Sequence, residues 1–204
     1  IHTKLHKIFS ITQERLNIVQ VELNLMQEKF EEATRKFEEK INVLEMKIPS
    51  SERNDGPFTW KIGSFSELST KAKRGEQTDF YSSPFYRYGY KFKLQMFPNG
   101  AGDGENTHLS IFLIVMKGEY DASLTWPFNK NATFTVIDQQ EDANARENIA
   151  LLQKADPSLK NMARPEEDEN LGQGYTTFAS QEKLQERRYI VDDTIFIQVQ
   201  IASP

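Results

Sequence analysis

The chain has 204 residues, with 25 Lys and Arg against 30 Asp and Glu, so its formal net charge is −5, and it contains no cysteine. Without cysteine the chain cannot hold disulfides, Cys-ligated zinc, iron–sulfur clusters or a thiol nucleophile, and its acidic balance argues against the basic face that nucleic-acid binding requires. The longest apolar run, residues 111–116, is far shorter than the ~20 residues needed to span a membrane, so we expect no membrane insertion. Because the chain begins with isoleucine, we expect a piece of a longer protein, and no signal peptide is visible in its sequence.

Residues 1–48 are predicted to form a coiled-coil oligomerisation helix. This segment has no glycine and no proline, whereas all ten glycines and all eight prolines follow it. Its apolar side chains recur at alternating steps of three and four, which is the repeat of a left-handed coiled coil. The residues expected in the oligomerisation seam are Leu16, Val19, Leu23, Met26, Phe30, Phe37 and Leu44.

A single solvated helix is the alternative, but it would leave Leu16, Leu23 and Phe30 in water, so self-association is favoured. The heptads leave the number of strands open, because the seam residues match neither the dimer rule nor the tetramer rule. After Phe37 the apolar stripe is displaced by four residues, which predicts a stutter in the coiled coil there.

Residues 49–57 are predicted to be a linker, because Pro49 ends the helix and a polar stretch with Gly56 and Pro57 follows. The apolar period then changes from 3.5 to 2, and turn signals separate several short segments of strand type. These segments are Phe58–Ile62, 88–96, 109–116, 133–137, 194–201 and, as a further candidate, 179–190. Residues 58–204 are therefore predicted to be all-β, as an antiparallel β-sandwich.

Three local features complete this prediction. Asn99 and Gly100 indicate a hairpin loop between residues 98 and 107. Asp192 and Asp193 are expected in a turn ahead of the final strand. Residues 147–154 are expected to be helical.

Few residues could carry catalysis. His108, Ser110 and the Asp192–Asp193 pair could be drawn as a triad, but nothing in the sequence brings them together and no Gly-x-Ser-x-Gly turn is present. The glycine-rich loop at 100–104 lacks the Lys-Ser/Thr of a phosphate-binding loop, and its acidic neighbours lack the ligand order of a calcium loop. We therefore predict no catalytic residues, no metal and no cofactor.

A series of short motifs runs through the second half of the chain. They are Phe-Thr-Trp-Lys-Ile at 58–62, Arg-Tyr-Gly-Tyr-Lys at 87–91, Thr-His-Leu-Ser at 107–110, Trp-Pro-Phe at 126–128, Ile-Asp-Gln at 137–139, Arg-Pro at 164–165 and Asp-Asp-Thr-Ile-Phe at 192–196. With a coiled coil in front of them, these motifs resemble the TRAF domain, the C-terminal part of the tumour necrosis factor receptor-associated factors.

The resemblance implies an eight-stranded antiparallel sandwich that the coiled coil holds as a homotrimer. It also implies a cytoplasmic signalling adaptor that binds short extended peptides from receptor tails or signalling partners. The family's RING and zinc-finger parts, which carry ubiquitin-ligase activity, need cysteines and so lie outside this chain.

The resemblance further implies where a peptide docks. In this family a peptide adds as a strand to an exposed sheet edge, where glycines permit close backbone approach. The matching edge here consists of Gly172, Gln173, Gly174 and Tyr175. Phe112 matches a residue that lines an apolar pocket, although it could equally be a core residue, and Phe97 matches a position usually held by tyrosine.

Other positions depart from the family's receptor-binding pattern. They are Gln95 for an arginine, Ala101 for an aspartate, Gln153 for a phenylalanine, and Leu159, Lys160 and Asn161 for three consecutive serines. A neutral Gln95 cannot make a charge-assisted contact with an acidic peptide residue. We therefore predict a divergent member with altered peptide specificity, similar in parts to the sixth mammalian factor.

The acidic run at residues 166–169 leads into the predicted edge strand. Together with the neutral Gln95, it predicts a groove that favours a peptide with a Lys or Arg near one end.

Two other functional classes remain open from the sequence. One is a substrate-recognition adaptor of the ubiquitin system built on the related meprin-and-TRAF-homology (MATH) domain. The other is an extracellular sandwich lectin, for which Asn131 would be the glycosylation site.

Overall fold

The computed structural model describes residues 2–46 and 56–202, and the chain divides into two compact units, residues 1–54 and 55–204. The first unit contains the helix α1, His2–Met46. The second unit contains all of the strands described below. The predicted domain boundaries at 48 and 58 fall on or beside residues outside the described ranges, so they stay predictions.

Helix α1 runs without interruption for 45 residues because it contains no glycine or proline. Within the single chain its seam side chains from Leu16 to Phe30 are between 49% and 74% exposed. Phe37 and Leu44 lie in the helix, but their side chains are outside the described part of the structure, as is the predicted stutter. The described stripe is thus available for association with another chain.

The second unit is an antiparallel β-sandwich, and its described part contains ten strands in two sheets. In chain order they are β1 (Phe58–Ile62), β2 (Phe80–Tyr81), β3 (Phe85–Arg87), β4 (Tyr90–Phe97), β5 (His108–Met116), β6 (Asn131–Val136), β7 (Ile149–Gln153), β8 (Gln173–Ser180), β9 (Ile190–Val191) and β10 (Thr194–Ala202). One sheet has the order β1-β10-β6-β7 with β9 beside β10, and the other has the order β2-β4-β5-β8 with β3 beside β4. Two short helices, α2 (Phe65–Lys73) and α3 (Lys183–Glu186), connect strands.

The core lies between the two sheets and follows the period-2 pattern of the sequence. In β4 the inward residues Phe92, Leu94 and Met96 are fully buried, while their neighbours are half-buried. Phe134 and Ile197 of the opposite sheet are also fully buried. Burial of each such side chain stabilises the fold by roughly 1.5–3 kcal/mol relative to an exposed position. The two sheets enclose one continuous apolar core, which confirms the predicted sandwich.

Several local predictions need correction. Residues 147–154, expected to be helical, contain the strand β7, which pairs with β6 along its whole length. The candidate strand at 179–190 instead holds the end of β8, the helix α3 and the short strand β9. The resemblance implied eight strands, and the described part contains ten, of which β2, β3 and β9 have only two or three residues each.

The turn predictions fare better. Asp192 and Asp193 both have positive φ, 47° and 56°, and form the tight turn between β9 and β10. The loop at 98–107 connects the antiparallel neighbours β4 and β5 as expected. The strand predicted from residue 88 begins only at Tyr90, because Tyr88 and Gly89 have positive φ and make the turn that follows β3.

Candidate functional site

Strand β8 is one end of its sheet, and within the described ranges its only strand neighbour is β5. The register pairs Ile111 with Tyr175, Phe112 with Gly174 and Leu113 with Gln173. An edge strand presents backbone N–H and C=O groups on its free side, which is a template for another strand. Of the four residues predicted as the docking edge, Gln173, Gly174 and Tyr175 lie in β8, and Gly172 precedes it.

Two glycines at this edge are required by the packing of the chain against itself. A Cβ on Gly174 would stand 2.1 Å from the Ile111 carbonyl oxygen, and one on Gly172 would stand 2.8 Å from the Phe112 Cβ. The close backbone approach that these glycines permit is thus to β5 of the same sheet. It draws the start of β8 against the side chain of Phe112.

The outer face of this sheet brings three of the predicted site residues together. Gln95 and Phe112 are cross-strand partners on β4 and β5, and the rings of Phe97 and Phe112 meet edge to face with centroids 5.8 Å apart. Phe112 is half-buried on this outer face, whereas its neighbours Ile111 and Leu113 are buried in the core. We call this surface, with Gly172 and Gly174, the groove.

Tyr175 lies differently from the other edge residues. It shares the inner face with its partner Ile111, and its ring packs near those of Phe134 and Phe178, with centroids 6.1 and 6.3 Å away. The side chain therefore belongs to the border of the core and not to the groove.

The three positions that replace serines have separate roles. Leu159 packs against the core, and Lys160 is exposed. Asn161 donates from Nδ2 to the Gln173 side-chain oxygen at 2.9 Å and, more weakly, to the Gly172 carbonyl at 3.4 Å. One amide side chain, that of Asn161, thus contacts the edge strand at a position where the family pattern has serine hydroxyls.

A narrow apolar cleft opens between the sheets beside this amide pair. It encloses about 310 Å³ of empty space, including the part open to solvent. Its lining includes Leu113, Phe128, Ala132, Leu159, Met162 and Gln173.

Sequence reasoning missed a polar cluster that borders the groove. Gln95 donates from Nε2 to the Asp79 carboxylate and to the Tyr81 hydroxyl, both at 2.9 Å. The Tyr81 hydroxyl donates to the same Asp79 oxygen at 2.5 Å. This hydrogen bond to a carboxylate, with a smaller contribution from burial, raises the pKa of Tyr81 to about 12.

An ion pair lies next to this cluster. Lys93 Nζ is 2.7 Å from the Glu169 carboxylate and 4.2 Å from the centroid of the Tyr81 ring. Lys93 is therefore engaged both by an acid and by an aromatic face.

The described residues show no assembled catalytic or metal site. Ser110 is fully buried, donates to the Thr176 carbonyl and accepts from the Ala101 N–H, while Asp193 accepts from the backbone and hydroxyl of Ser66. In the described ranges no group of three or more His, Cys, Asp or Glu is placed to hold a metal. A search of those same residues finds no helix long and apolar enough to cross a membrane.

A β-sandwich with an open edge strand next to an aromatic groove defines a protein-interaction domain. The profile of the TRAF/meprin MATH domain matches residues 77–198. The chain belongs to this family and, within it, to the TNF receptor-associated factors.

Three relatives illustrate the similarity. TNF receptor-associated factor 1 of Mus musculus is 38% identical over 148 residues, which cover 71% of this chain and 35% of that protein. TNF receptor-associated factor 2 of Homo sapiens is 40% identical over 147 residues, covering 71% and 28%. The structure of Notothenia coriiceps TRAF5 superposes with a TM-score of 0.72 at 28% identity and covers 96% of this chain and 95% of that one. The chain thus spans about a third or less of the curated relatives it matches.

Proposed function

We propose that the chain is the docking part of a trimeric cytoplasmic signalling adaptor. In this proposal, β8 accepts a short extended peptide from a receptor tail or signalling partner as an added strand. The observation that carries it is the position of β8 at the end of its sheet, directly beside the half-buried rings of Phe97 and Phe112. The membership in a family of receptor-associated factors supports a signalling role.

The groove offers a peptide two kinds of contact. The free side of β8 offers main-chain hydrogen bonds, which are independent of peptide sequence. Phe112, together with the apolar cleft beside Gln173, offers surfaces for peptide side chains. Gln95 stands where relatives have an arginine, and Leu159, Lys160 and Asn161 stand where they have serines. Asn161 is also hydrogen-bonded to Gln173. We therefore expect this chain to bind a different peptide motif from those relatives.

Trimerisation would act through α1. Its exposed stripe, which includes Leu16, Leu23 and Phe30, gains roughly 1.5–3 kcal/mol per large side chain on burial against other helices. Three docking edges on one stalk then raise the overall affinity for clustered tails by effective concentration, without any new contact.

The test of strand addition uses the full chain and a library of short peptides, of which the best binder is resynthesised with a methyl group on one backbone nitrogen at a time. Strand addition predicts that binding measured by calorimetry is lost at every second residue, because only alternate N–H groups face β8. Phe112→Ala should weaken binding. Leu152→Ala, which removes a half-exposed side chain from the edge strand of the other sheet, should leave it unchanged.

A uniform response to methylation, or equal losses in Phe112→Ala and Leu152→Ala, would exclude docking at β8.

Trimerisation through α1 is tested separately. Leu23→Glu should reduce the mass measured in sedimentation from that of a trimer to that of a monomer. The matched control is Val21→Glu, which changes an exposed residue on the opposite side of α1 from the seam, and it should remain trimeric.

A further inference from the structure

The polar cluster that borders the groove contains a carboxylate that no cation of the described residues neutralises. Asp79 is half-exposed, and its hydrogen bonds in the described structure come from two neutral groups, the Gln95 amide and the Tyr81 hydroxyl. These two donors hold one carboxylate oxygen in place and leave the negative charge unpaired. An oriented and unpaired carboxylate is suited to bind a cationic side chain.

Asp79 is connected to the docking edge through Gln95. Gln95 is the cross-strand partner of Phe112, and Phe112 is the partner of Gly174. The Gln95 side-chain oxygen is also 3.5 Å from the point where a Cβ of Gly172 would stand. The carboxylate therefore lies one amide side chain away from the strand that would receive a peptide, within reach of a long peptide side chain.

The basic residue that the contacts place beside this cluster is already paired. Lys93 lies over the Tyr81 ring, and its Nζ is 2.7 Å from the Glu169 carboxylate. Besides the hydrogen bond to Asp79, Glu169 also helps to raise the pKa of Tyr81, so a second negative charge acts on the cluster.

We propose that the groove selects a Lys or Arg of the docked peptide, and that Asp79, positioned by Tyr81 and Gln95, is the residue that reads it. This inference rests on the proposed docking of a peptide at β8. The occupant is thus an extended segment with a basic residue that crosses the outer face next to Gly172 and Gly174. A long aliphatic stem would lie along the Phe97 and Phe112 rings while its charged head reaches Asp79.

A merely structural role of the cluster is the competing explanation, in which Asp79 and Gln95 fasten the two-residue strand β2 to β4. Both explanations allow Asp79→Asn to fold, because asparagine keeps an oxygen that can accept from Tyr81. The two explanations differ in what Asp79→Asn does to the charge preference for the peptide. Only a role in recognition predicts that this preference is lost.

The experiment measures peptide binding to the full chain with a library in which one position at a time holds Lys, Arg, norleucine or Glu. We expect one position at which Lys and Arg bind about fivefold more tightly than norleucine, as for an exposed charge pair of about 1 kcal/mol. Asp79→Asn should remove this preference, so that the Lys, Arg and norleucine peptides bind it equally. Asp103→Asn, an exposed aspartate of the β4–β5 loop, is the control and should keep it.

A second variant tests the same inference by reversal. Gln95→Arg places a permanent cation beside Asp79, so the preference at that position should shift from Lys to Glu. Added salt should reduce the preference in the unaltered chain, because exposed charges are screened.

The outcomes separate the two proposals. If no peptide of the library binds, the proposed docking function fails, and this inference fails with it. If peptides bind and Phe112→Ala weakens them, but Lys, norleucine and Glu are equivalent or Asp79→Asn keeps the preference, only the inference about Asp79 is overturned.

Discussion

Two aspartates in the sandwich, Asp138 and Asp79, each accept two hydrogen bonds on one carboxylate oxygen, but in opposite surroundings. Asp138 follows β6 and has no exposed surface, whereas Asp79 precedes β2 and is half-exposed. Asp138 is 2.7 Å from the Arg187 guanidinium, while Asp79 meets only an amide and a hydroxyl among the described residues. Asp138 is therefore buried with a cationic partner, and Asp79 is partly exposed with neutral ones.

The network of Asp138 connects segments that are far apart in the chain. Its Oδ2 accepts from the Glu147 backbone N–H at 3.0 Å and from Arg187 Nε. Arg187 also contacts the Glu147 carboxylate at 3.1 Å and donates to the Ala145 carbonyl. These bonds fasten the loop between β6 and β7 to the segment after α3, so the charge is compensated inside the protein.

The network of Asp79 is local by contrast. It joins β2 to the adjacent strand β4, and its charge has no internal partner in the described ranges.

Asp138→Asn should lower the free energy of unfolding by about 2–3 kcal/mol, because it removes the charge-assisted bonds to Arg187 and Glu147 from a buried position. Urea unfolding at neutral pH measures this change. Asn144→Ala, a change in an exposed 3₁₀ turn of the same loop, is the control and should cost much less. Equal losses in both variants would mean that the loop, and not the ion pair, carries the stability.

Acid should remove the contribution of Asp138. Burial acts to raise its pKa, but the hydrogen bonds from Glu147 and Arg187 outweigh it, so the pKa lies below its ordinary value of 3.8. A group with a lowered folded-state pKa stabilises the fold above the unfolded value, and this stability is lost as the pH falls through the folded pKa. Urea unfolding at a series of pH values should show the difference between the unaltered chain and Asp138→Asn closing below pH 3.8. A difference that stays constant in acid would contradict this assignment.

Arg187→Lys should destabilise the sandwich less than Asp138→Asn. Lysine keeps the positive charge opposite Asp138. Its single ammonium group cannot contact Asp138, Glu147 and the Ala145 carbonyl together, as the planar guanidinium does. Thermal unfolding of the two variants side by side gives the order. If Arg187→Lys proved the more damaging, packing of the guanidinium would matter more than the charge on Asp138.

The sequence pattern predicted the frame around these sites because burial alternates along the strands. Phe92, Leu94 and Met96 alternate with polar neighbours, and this period alone indicated β4. In β7, the run Ile-Ala-Leu-Leu-Gln contains good helix formers, so the local signal favoured a helix. Pairing with β6 decides the outcome there, which is a tertiary effect that local propensity cannot show.

The candidate site was predicted only where the resemblance pointed. Gln95, Phe112 and Gly174 are neighbours across β4, β5 and β8. The inward position of Tyr175 depends on the register against β5, which is shifted after Leu109. No sequence pattern marks Asp79 and Tyr81, because a strand of two residues is too short to show an alternation of apolar and polar positions. Their contact with Gln95 joins positions 16 and 14 residues apart.

Asp79→Asn should change the free energy of unfolding by less than about 0.5 kcal/mol, because half-exposed polar networks contribute little to stability. The local effect should nevertheless be large. The Tyr81 pKa of about 12 results first from its hydrogen bond to the Asp79 carboxylate, so loss of that charge should lower the pKa towards the ordinary value of 10.0.

Alkaline titration of the phenolate absorbance measures this shift, with Tyr81→Phe identifying which tyrosine moves. A stability loss as large as that of Asp138→Asn would make Asp79 a structural residue and end the distinction between the two carboxylates. An unchanged Tyr81 titration would show that the hydroxyl does not donate to Asp79 in solution. The combination of unchanged stability and a lowered pKa is expected only if Asp79 is held in place by the fold without being needed for it.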